Sequence, residues 1–529
     1  MSMKKLSERK KKWIERTVAN DRSYKVFLYN RFFIFALAVL AQIIGYAVLL
    51  LLLVYESAYA VALQLAVFVL EVVFVFYIIN THDRPSMKLN WIIAILVAPV
   101  FGVPMYLFNG RGRPTRKMRE KIVRAKREND EKAKEFLGAT QENSELGRVS
   151  RYLEKYASYP VYTDGSVEYY ESGEKIFPVM LQELKKAEKF IFVQYFIIAH
   201  GKMWNEILKI LVEKAMLGVK VRVIYDDFGC MMTLPPKYDR YLESLHENIK
   251  CLSFNKVVPV FAVRMNNRDH RKMLVIDGKT AFTGGYNLAD EYINEKRRFG
   301  YWKDSGIKIT GGAVNSFTRM FLYTWNAFRR DKEELTAYLS PIKGDENAEC
   351  LIQPYDDCPL DNLSVGEVVY TDMINRAEKY IYIFTPYLIL DDMMRACLCQ
   401  ASMRGVDVRI VTPGIPDKKM TYRLTRANYG ILLKAGVRIY EYKDGFIHAK
   451  SMVSDDTHAV VGTINLDYRS LYHHFENAVY FTGKKGVDAV KRDCEETFAV
   501  STERTQENFK RGVVGRLTDS LLRVFETLM

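Results

Sequence analysis

Two stretches of the chain, HRKMLVID at residues 270–277 and HAKSMVSD at residues 448–455, share the pattern H-x-K-x4-D. Each is followed by a turn of small residues that ends in an asparagine, GGYN at 284–287 and GTIN at 462–465. A single His-x-Lys occurs by chance in many proteins, whereas the repeated combination of motif and turn is hard to obtain that way. The sequence therefore predicts a duplicated half-site whose two copies assemble into one active centre.

The sequence around the two motifs repeats as well. FIFVQYFII (190–198) and YIYIFTPYLIL (380–390) are typical of buried strands, and a helical pattern follows each of them. The next strands, VKVRVIYDD at 219–227 and VDVRIVTP at 406–413, are similar to each other. Strands that alternate with helices predict an α/β fold with a mixed or largely parallel sheet.

The residue types of the duplicated motif suit attack on a phosphodiester. One histidine can form a covalent phosphohistidine, while the other protonates the leaving alcohol and then deprotonates the incoming one. Lysines neutralise the phosphate oxygens that gain charge. We find no set of carboxylates with the ligand number that Mg²⁺ or Ca²⁺ requires, so we predict neither a metal nor a cofactor. The catalytic candidates are His270, Lys272, His448 and Lys450.

The turns after the motifs supply further candidates. Asn287, Asn465 and Thr463 offer donors without charge for the phosphate, next to the small turn residue Gly285.

Each catalytic imidazole also needs a partner that fixes its tautomer. Asp304 and Glu476 lie 34 and 28 residues beyond the histidine of the same half, and both open a short strand, so we expect them to orient the imidazoles. Asp277 and Asp455, which complete the two motifs, are expected to hold the local turn rather than to contact substrate.

Charge and hydropathy indicate a membrane. The chain carries 77 Lys and Arg against 63 Asp and Glu, a formal net charge of +14, which favours an anionic partner. A basic tail (1–31) and a basic, charged linker (111–150) enclose an apolar module at 32–110. The two halves of the catalytic part follow at 151–340 and 341–529, the second with a C-terminal packing helix. The apolar segments of the module are 32–54, 59–79 and 91–108.

Segment 32–54 has no charged residue and the length that a helix needs to cross a bilayer core. The basic tail places the N-terminus in the cytoplasm. Pro99, Gly102 and Pro104 interrupt the third segment, which either spans or re-enters the bilayer, and the re-entrant path leaves the catalytic part on the cytoplasmic side. We expect a multi-pass protein of the cell membrane.

At these motifs the chain resembles the phospholipase D superfamily, and within it the bacterial cardiolipin synthases. The resemblance covers nearly everything beyond residue 59 and includes WKDSGIKITG, TPYLILDD and RGVDVRIVTPGIPDK in the right order. It implies two pseudo-symmetric phospholipase D-like halves that share one active site, preceded by an N-terminal transmembrane helical module. The first apolar segment, 32–54, is an addition to the two spans usual in the family.

The activity that the resemblance implies is transphosphatidylation. Two phosphatidylglycerol molecules yield cardiolipin and glycerol through a phosphatidyl-histidine, with His270 as nucleophile and His448 as acid/base by analogy, although the opposite assignment is nearly as defensible. The implied partners are phosphatidylglycerol, other anionic phospholipids and the membrane, without nucleic acid, and a homo-oligomer is left open.

Three other functions fit the same residues. A hydrolytic phospholipase D uses water instead of the second lipid. A membrane-bound nuclease-type phosphodiesterase agrees with the net charge and disagrees with the apolar module. A non-catalytic lipid-binding scaffold disagrees with two intact copies of the motif.

Overall fold

The computed structural model describes most of the chain beyond the first apolar segment. The basic tail and segment 32–54, apart from four isolated positions, lie outside the described residues. The described residues are 58–81, 83–107, 116–137, 147–257, 267–342, 349–361, 363–509 and 512–523, with the single positions 40, 44, 47, 51 and 526.

The first half is built on a mixed sheet in the order β1-β8-β6-β5-β2-β3-β4, in which β2, β3 and β4 are parallel. The first-half strands are β1 (Val167–Tyr170), β2 (Phe190–Tyr195), β3 (Lys220–Asp226), β4 (Ile249–Phe254), β5 (Met273–Ile276), β6 (Thr280–Gly284), β7 (Tyr301–Lys303) and β8 (Gly306–Thr310).

The second half repeats this sheet. Its order is β17-β12-β11-β10-β14-β15-β16-β9, and the run from β16 to β12 matches the run from β8 to β4 strand for strand. The predictions of two similar halves and of an α/β fold are confirmed, and the sheets are mixed. The second-half strands are β9 (Ile352–Asp357), β10 (Tyr380–Phe384), β11 (Asp407–Pro413), β12 (Arg438–Tyr442), β13 (Gly445–Ile447), β14 (Ser451–Ser454), β15 (His458–Gly462), β16 (Glu476–Phe481) and β17 (Ser501–Arg504).

Helices precede the sheets and cover them. The helices before the first sheet are α1 (Ala58–Ile79), α2 (Pro85–Val97), α3 (Pro99–Met105), α4 (Arg116–Leu137) and α5 (Gly147–Lys155). Those of the first half are α6 (Gly173–Lys186), α7 (Lys202–Met216), α8 (Tyr238–Leu245) and α9 (Val314–Phe328). Those of the second half are α10 (Val365–Arg376), α11 (Asp392–Met403), α12 (Lys419–Lys434), α13 (Tyr468–Tyr472), α14 (Lys484–Ala499) and α15 (Val513–Arg523).

The crossover helices α7 and α11 end by the same device in both halves. Gly218 and Gly405 follow them with φ of +93° and +96°, a conformation that glycine adopts without a steric penalty. The next amides, those of Val219 and Val406, donate back to carbonyls in the last helical turns. In each half the chain then enters the second parallel strand directly, which explains why the similar sequences LGVKV and RGVDV occur at these two places.

The two halves share one hydrophobic core. Buried side chains of both halves, such as Phe192 and Phe321 in the first and Tyr355 and Phe481 in the second, belong to a single cluster. Two short parallel strands, β7 and β13, also pair between the halves. The two halves are therefore packed together as one folded unit, with an interface between the first and the second half.

The segment 111–150, which we expected to be a charged linker, is over much of its length a packed helix. In α4 the apolar residues Met118, Ile122 and Ala125 recur at helical spacing and are buried in the core. Arg319 of α9 pairs with Asp130, and Lys126 lies 3.3 Å from Asp356 of β9. Helix α4 is therefore an amphipathic helix, and most of its charged residues lie on the solvated face.

The third apolar segment, 91–108, is not one continuous helix. Helix α2 stops at Ala98 and α3 starts at Pro99, where proline removes an amide donor. The two helices lie against each other at Gly102, where an added Cβ would stand 2.5 Å from the carbonyl oxygen of Ala94. The break that the sequence places in this segment is confirmed.

Helix α1 presents much apolar surface, including the exposed side chains of Leu65, Phe68 and Phe76. Within the described ranges, no helix combines the length and the apolar character required to cross a membrane.

An ion-pair cluster fixes the loop between α1 and α2 to the second half. The guanidinium of Arg84 pairs with Glu367 and, at 2.9 Å, with Asp391, and it lies 4.1 Å above the ring of Tyr472. The Tyr472 hydroxyl donates to the same two carboxylates. Both carboxylate side chains are nearly buried, at 3% and 4% exposure, so Arg84 is needed to compensate their charge.

We expect Arg84→Gln to leave two buried carboxylates without their cation. The free energy of unfolding should fall by about 2 kcal/mol, less than for a fully buried pair because the Arg84 side chain is 29% exposed. Thermal unfolding in detergent measures the change. Arg116→Gln is the matched control, since the pair of Arg116 with Glu120 is exposed and should contribute less than about 1 kcal/mol. Equal shifts in the two variants would contradict the assignment.

Candidate active site

The two motif histidines lie just before equivalent strands, His270 before β5 and His448 before β14. Each histidine is 7% exposed. Backbone hydrogen bonds to the opposite half hold both in place. The amide of His270 donates to the carbonyl of Phe475 at 2.8 Å, and the amide of His448 donates to that of Lys303 at 2.7 Å. The two motifs therefore meet at the interface between the halves.

The carboxylates that orient the imidazoles are exchanged between the halves. His270 Nδ1 lies 2.8 and 2.9 Å from the two carboxylate oxygens of Glu476, and His448 Nδ1 lies 2.8 Å from Asp304 Oδ2. Spacing along the chain would place each acid with the histidine of its own half, and the structure shows the opposite. With Nδ1 donating to a buried carboxylate, Nε2 is the ring nitrogen left for substrate.

The motif lysines are buried beside the histidines. Lys272 Nζ donates to the carbonyl of His270 at 2.7 Å, and Lys450 Nζ donates to the carbonyl of His448. Lys450 Nζ also lies 2.9 Å from His448 Nδ1. Burial lowers the pKa of Lys272 to about 8 and that of Lys450 to about 7. An anion in the site would stabilise the charged form of both.

The surroundings of both histidines favour the neutral form of the imidazole. Burial, and then the charges of Lys272 and Lys450, bring the pKa of His270 well below its usual value. Burial and Lys450 also lower the pKa of His448 to about 4, although Asp304 opposes them. For Asp304, burial favours the neutral acid, but His448 and Lys450 outweigh burial and its pKa is lowered. The site thus holds two carboxylates, two lysines and two imidazoles whose neutral form is favoured.

The aspartates of the motifs lie at the far ends of β5 and β14 and hold backbone. The carboxylate of Asp277 accepts the amides of Glu188, Lys189 and Phe190 at 2.7 to 2.8 Å. Asp455 accepts the three equivalent amides, those of residues 378–380, at 2.8 to 2.9 Å. Each aspartate joins the turn after its own strand to the start of the neighbouring strand.

The polar residues of the turns are already engaged within the protein. Asn287 accepts the amide of Ile197 and donates to the hydroxyl of Tyr292, whose ring lies 5.5 Å from that of His448. Thr463 donates to Glu476, and Asn465 donates to Asp467 at 3.1 Å. In this arrangement these side chains support the residues around the histidines.

Gly285 lies against Asp304 and against the backbone of His448 in the opposite half. A Cβ at this position would stand 2.1 Å from Asp304 Oδ1 and 2.7 Å from the carbonyl oxygen of His448. Its counterpart in the second half, Thr463, carries a side chain that bonds to the longer carboxylate, Glu476. The two half-sites are thus similar in plan and different in detail.

Two residues next to Glu476 belong to the site although sequence reasoning did not select them. Asn477 accepts the amide of Lys272 and donates to Thr283, so it ties β16 to the first half. The ring of His474 lies 5.5 Å from that of His270. Alignment of the two halves on their carboxylates, HFEN against WKDS, is the signal that points to both.

His270, His474 and Glu476 also form a group, among the described residues, whose ligand atoms lie within 4.8 Å of one another. A divalent cation there would compete with the hydrogen bond between His270 and Glu476. It would also face the charges of Lys272 and Lys450, which act on His270. The electrostatics of this group favour an anion in the adjoining site.

Comparison with known proteins agrees with this geometry. The family model described as cardiolipin synthase, phospholipase D-like domain, matches residues 180–319 and 370–498, which is just over half of the chain. The chain belongs to this family. The phospholipase D-nuclease N-terminal model matches residues 69–111.

The similar proteins cover nearly the whole catalytic part. An uncharacterized protein of Streptococcus mutans is 42% identical over 83% of this chain and 95% of its own length. Cardiolipin synthases of Alkalihalophilus pseudofirmus and Staphylococcus aureus are each 31% identical, over 88% and 84% of this chain and 93% and 92% of their own lengths. The crystal structure of phosphatidylserine synthase from Haemophilus influenzae shares the fold, with a TM-score of 0.55 at 15% identity over 72% of this chain and 97% of that one.

We expect Gly285→Ala to displace Asp304 from His448, because the added methyl group occupies the position of the carboxylate. A displacement of about 1 Å in a catalytic group lowers kcat by about 100-fold. Gly430→Ala in α12 is the control, since nothing lies within 4 Å of a Cβ there. Initial rates on phosphatidylglycerol in mixed micelles measure both. Normal activity in Gly285→Ala would refute the close approach.

Proposed function

We propose that this protein joins two phosphatidylglycerol molecules into cardiolipin and releases glycerol. The exchanged pairs, His270 with Glu476 and His448 with Asp304, carry the proposal, because they hold two imidazoles close enough to each other and to both lysines to act on one phosphate. Family membership and the cardiolipin synthase relatives support phosphatidylglycerol as the substrate.

In the first step His270 Nε2 attacks phosphorus, and the bond to the glycerol oxygen breaks. His448 donates its Nε2 proton to that oxygen, so glycerol leaves as an alcohol and the phosphatidyl group stays on His270. The His270 ring then carries a positive charge, which Glu476 stabilises through Nδ1–H. His448 takes up its Nε2 proton from solvent when the substrate binds, because the negative phosphodiester stabilises the imidazolium despite its lowered pKa.

In the second step the terminal hydroxyl of another phosphatidylglycerol attacks the phosphorus. His448 takes the hydroxyl proton, the bond between phosphorus and nitrogen breaks, and His270 returns to its neutral form. Lys272 and Lys450 stabilise the charge on the non-bridging oxygens in both steps. The cycle balances without a metal or a cofactor.

Different carboxylate surroundings support His270 as the nucleophile. Glu476 accepts hydrogen bonds from both His270 and Thr463. Asp304 has the shorter side chain and raises the pKa of His448 against the effect of burial. His448 is thus better placed to gain and lose a proton, as an acid/base must.

The N-terminal module is proposed to hold the catalytic body at the membrane. Segment 32–54 and the exposed apolar side chains of α1 supply the attachment. Arg84 lies in the loop between α1 and α2, and the basic residues of this loop predict a position in the cytoplasm. The Arg84 guanidinium contacts the second half through Glu367 and Asp391. The catalytic halves then lie on the cytoplasmic side, where both substrates diffuse in the plane of the bilayer.

The first test is product analysis with radiolabelled phosphatidylglycerol in vesicles. We expect cardiolipin and glycerol from the wild type, a phosphatidyl adduct on His270 after a rapid quench in denaturant at neutral pH, and at least about a 1,000-fold loss of turnover in His270→Asn or His448→Asn. His458→Asn, at the remote end of β15, should retain activity. Phosphatidic acid as the main product would instead identify a hydrolase, and DNA cleavage would identify a nuclease.

The second test uses pH. Lysines with pKa values of about 7 and about 8 lose their charge as pH rises, so kcat/KM should fall through this range. Lys450→Arg keeps its charge and should move the fall to higher pH. Binding of inorganic phosphate should show the same dependence without requiring turnover. If both binding and kcat/KM stay constant from pH 7 to 9, the lysines do not have the role proposed here.

A further inference from the structure

A histidine and a tryptophan occupy equivalent positions beside the two catalytic imidazoles. Each lies two residues before the carboxylate that crosses the interface, His474 before Glu476 and Trp302 before Asp304. The His474 ring lies 5.5 Å from the His270 ring, and the Trp302 ring lies 5.3 Å from the His448 ring. The two rings thus occupy equivalent positions in the two halves, but one is an imidazole and the other an indole.

Both residues direct a ring nitrogen at the carboxylate of their half-site. Trp302 Nε1 lies 3.5 Å from Asp304 Oδ2, and His474 Nδ1 lies 3.7 Å from Glu476 Oε1. The His474 side chain is 11% exposed, and its Nδ1 has no hydrogen-bond partner among the described residues. A small movement of the ring would complete a hydrogen bond to Glu476.

Packing limits which way His474 can move. Its ring stacks on Phe196, with 6.5 Å between centroids, and Phe196 also contacts the His270 ring at 5.0 Å. Burial lowers the pKa of His474 to about 3, so the ring is neutral near pH 7 and donates without adding charge to the site. The three rings therefore pack against one another beside Glu476.

We propose that His474 is a positioning residue for the nucleophile, which holds Glu476 on His270 while the phosphohistidine forms and breaks down. The inference rests on the proposed function. Formation of the bond from Nε2 to phosphorus leaves the His270 ring positively charged, and the aligned Glu476 carboxylate stabilises that charge through Nδ1–H. The donor from His474 keeps the carboxylate aligned at the moment when its charge is needed.

The test separates the nucleophile side from the acid side by means of the leaving group. A phosphatidyl ester of p-nitrophenol loses a weakly basic phenolate, so it needs no proton from His448 to form the phosphohistidine. Stopped-flow release of nitrophenolate then reports the first step on the His270 side alone. Trp302→Phe is the matched control, because it removes the equivalent donor from the other half-site.

We expect His474→Phe to slow the nitrophenolate burst by about 10- to 100-fold, with KM within about twofold, because it removes a hydrogen bond to a charged group. His474→Gln and His474→Trp, which keep a donor, should recover most of the rate. Trp302→Phe should leave the burst unchanged and slow only turnover of phosphatidylglycerol. Thermal unfolding of each variant monitors the fold, and the two donor variants carry the test if His474→Phe is unstable.

Three outcomes distinguish the possible failures. If His270→Asn and His448→Asn both retain the burst, the proposed function itself is wrong. If the burst depends on His270 but is the same in His474→Phe and the wild type, or is slowed equally by His474→Gln, the positioning role is wrong. A burst slowed by Trp302→Phe and not by His474→Phe would transfer the nucleophile to His448 and overturn the inference.

Discussion

The exchange of carboxylates between the two halves is the constraint on which the site depends. His270 is oriented by Glu476 of the second half, and His448 by Asp304 of the first. Without its acceptor, a buried imidazole is no longer held in one tautomer. Without its donor, a buried carboxylate lowers the stability of the fold. Neither half can therefore build a working half-site alone, which agrees with the shared core and with the pairing of β7 with β13.

The same arrangement explains the electrostatics. Two lysines and two histidines are buried beside the carboxylates of Asp304 and Glu476, and burial lowers the pKa values of all four in spite of these carboxylates. A phosphodiester that enters such a site stabilises the charged forms of the lysines and histidines, because it adds a further anion beside them. Free energy that burial costs in the empty site is recovered on binding, and this selects for anionic substrates.

The N-terminal module is connected to this centre through polar contacts in addition to apolar ones. Arg84 reaches two nearly buried carboxylates of the second half, and Tyr468 bonds to Ser86 at the start of α2. Tyr468 opens α13, which follows the turn that carries Thr463 and Asn465. The contact with the N-terminal module thus lies a few residues from the turn that carries Thr463 and Asn465, which connects the module directly to the site.

The sequence by itself determined the duplicated α/β halves, the four catalytic candidates and the structural role of Asp277 and Asp455, because these features depend on local pattern and on spacing within one half. It described 111–150 as a charged linker that includes an exposed helix or hinge, and the buried face of α4 becomes visible only when α9 covers it. It named Asp304 and Glu476 without showing which histidine each would serve, and it passed over His474. Only the tertiary structure decided those points, because the interface between the halves joins residues more than 140 positions apart.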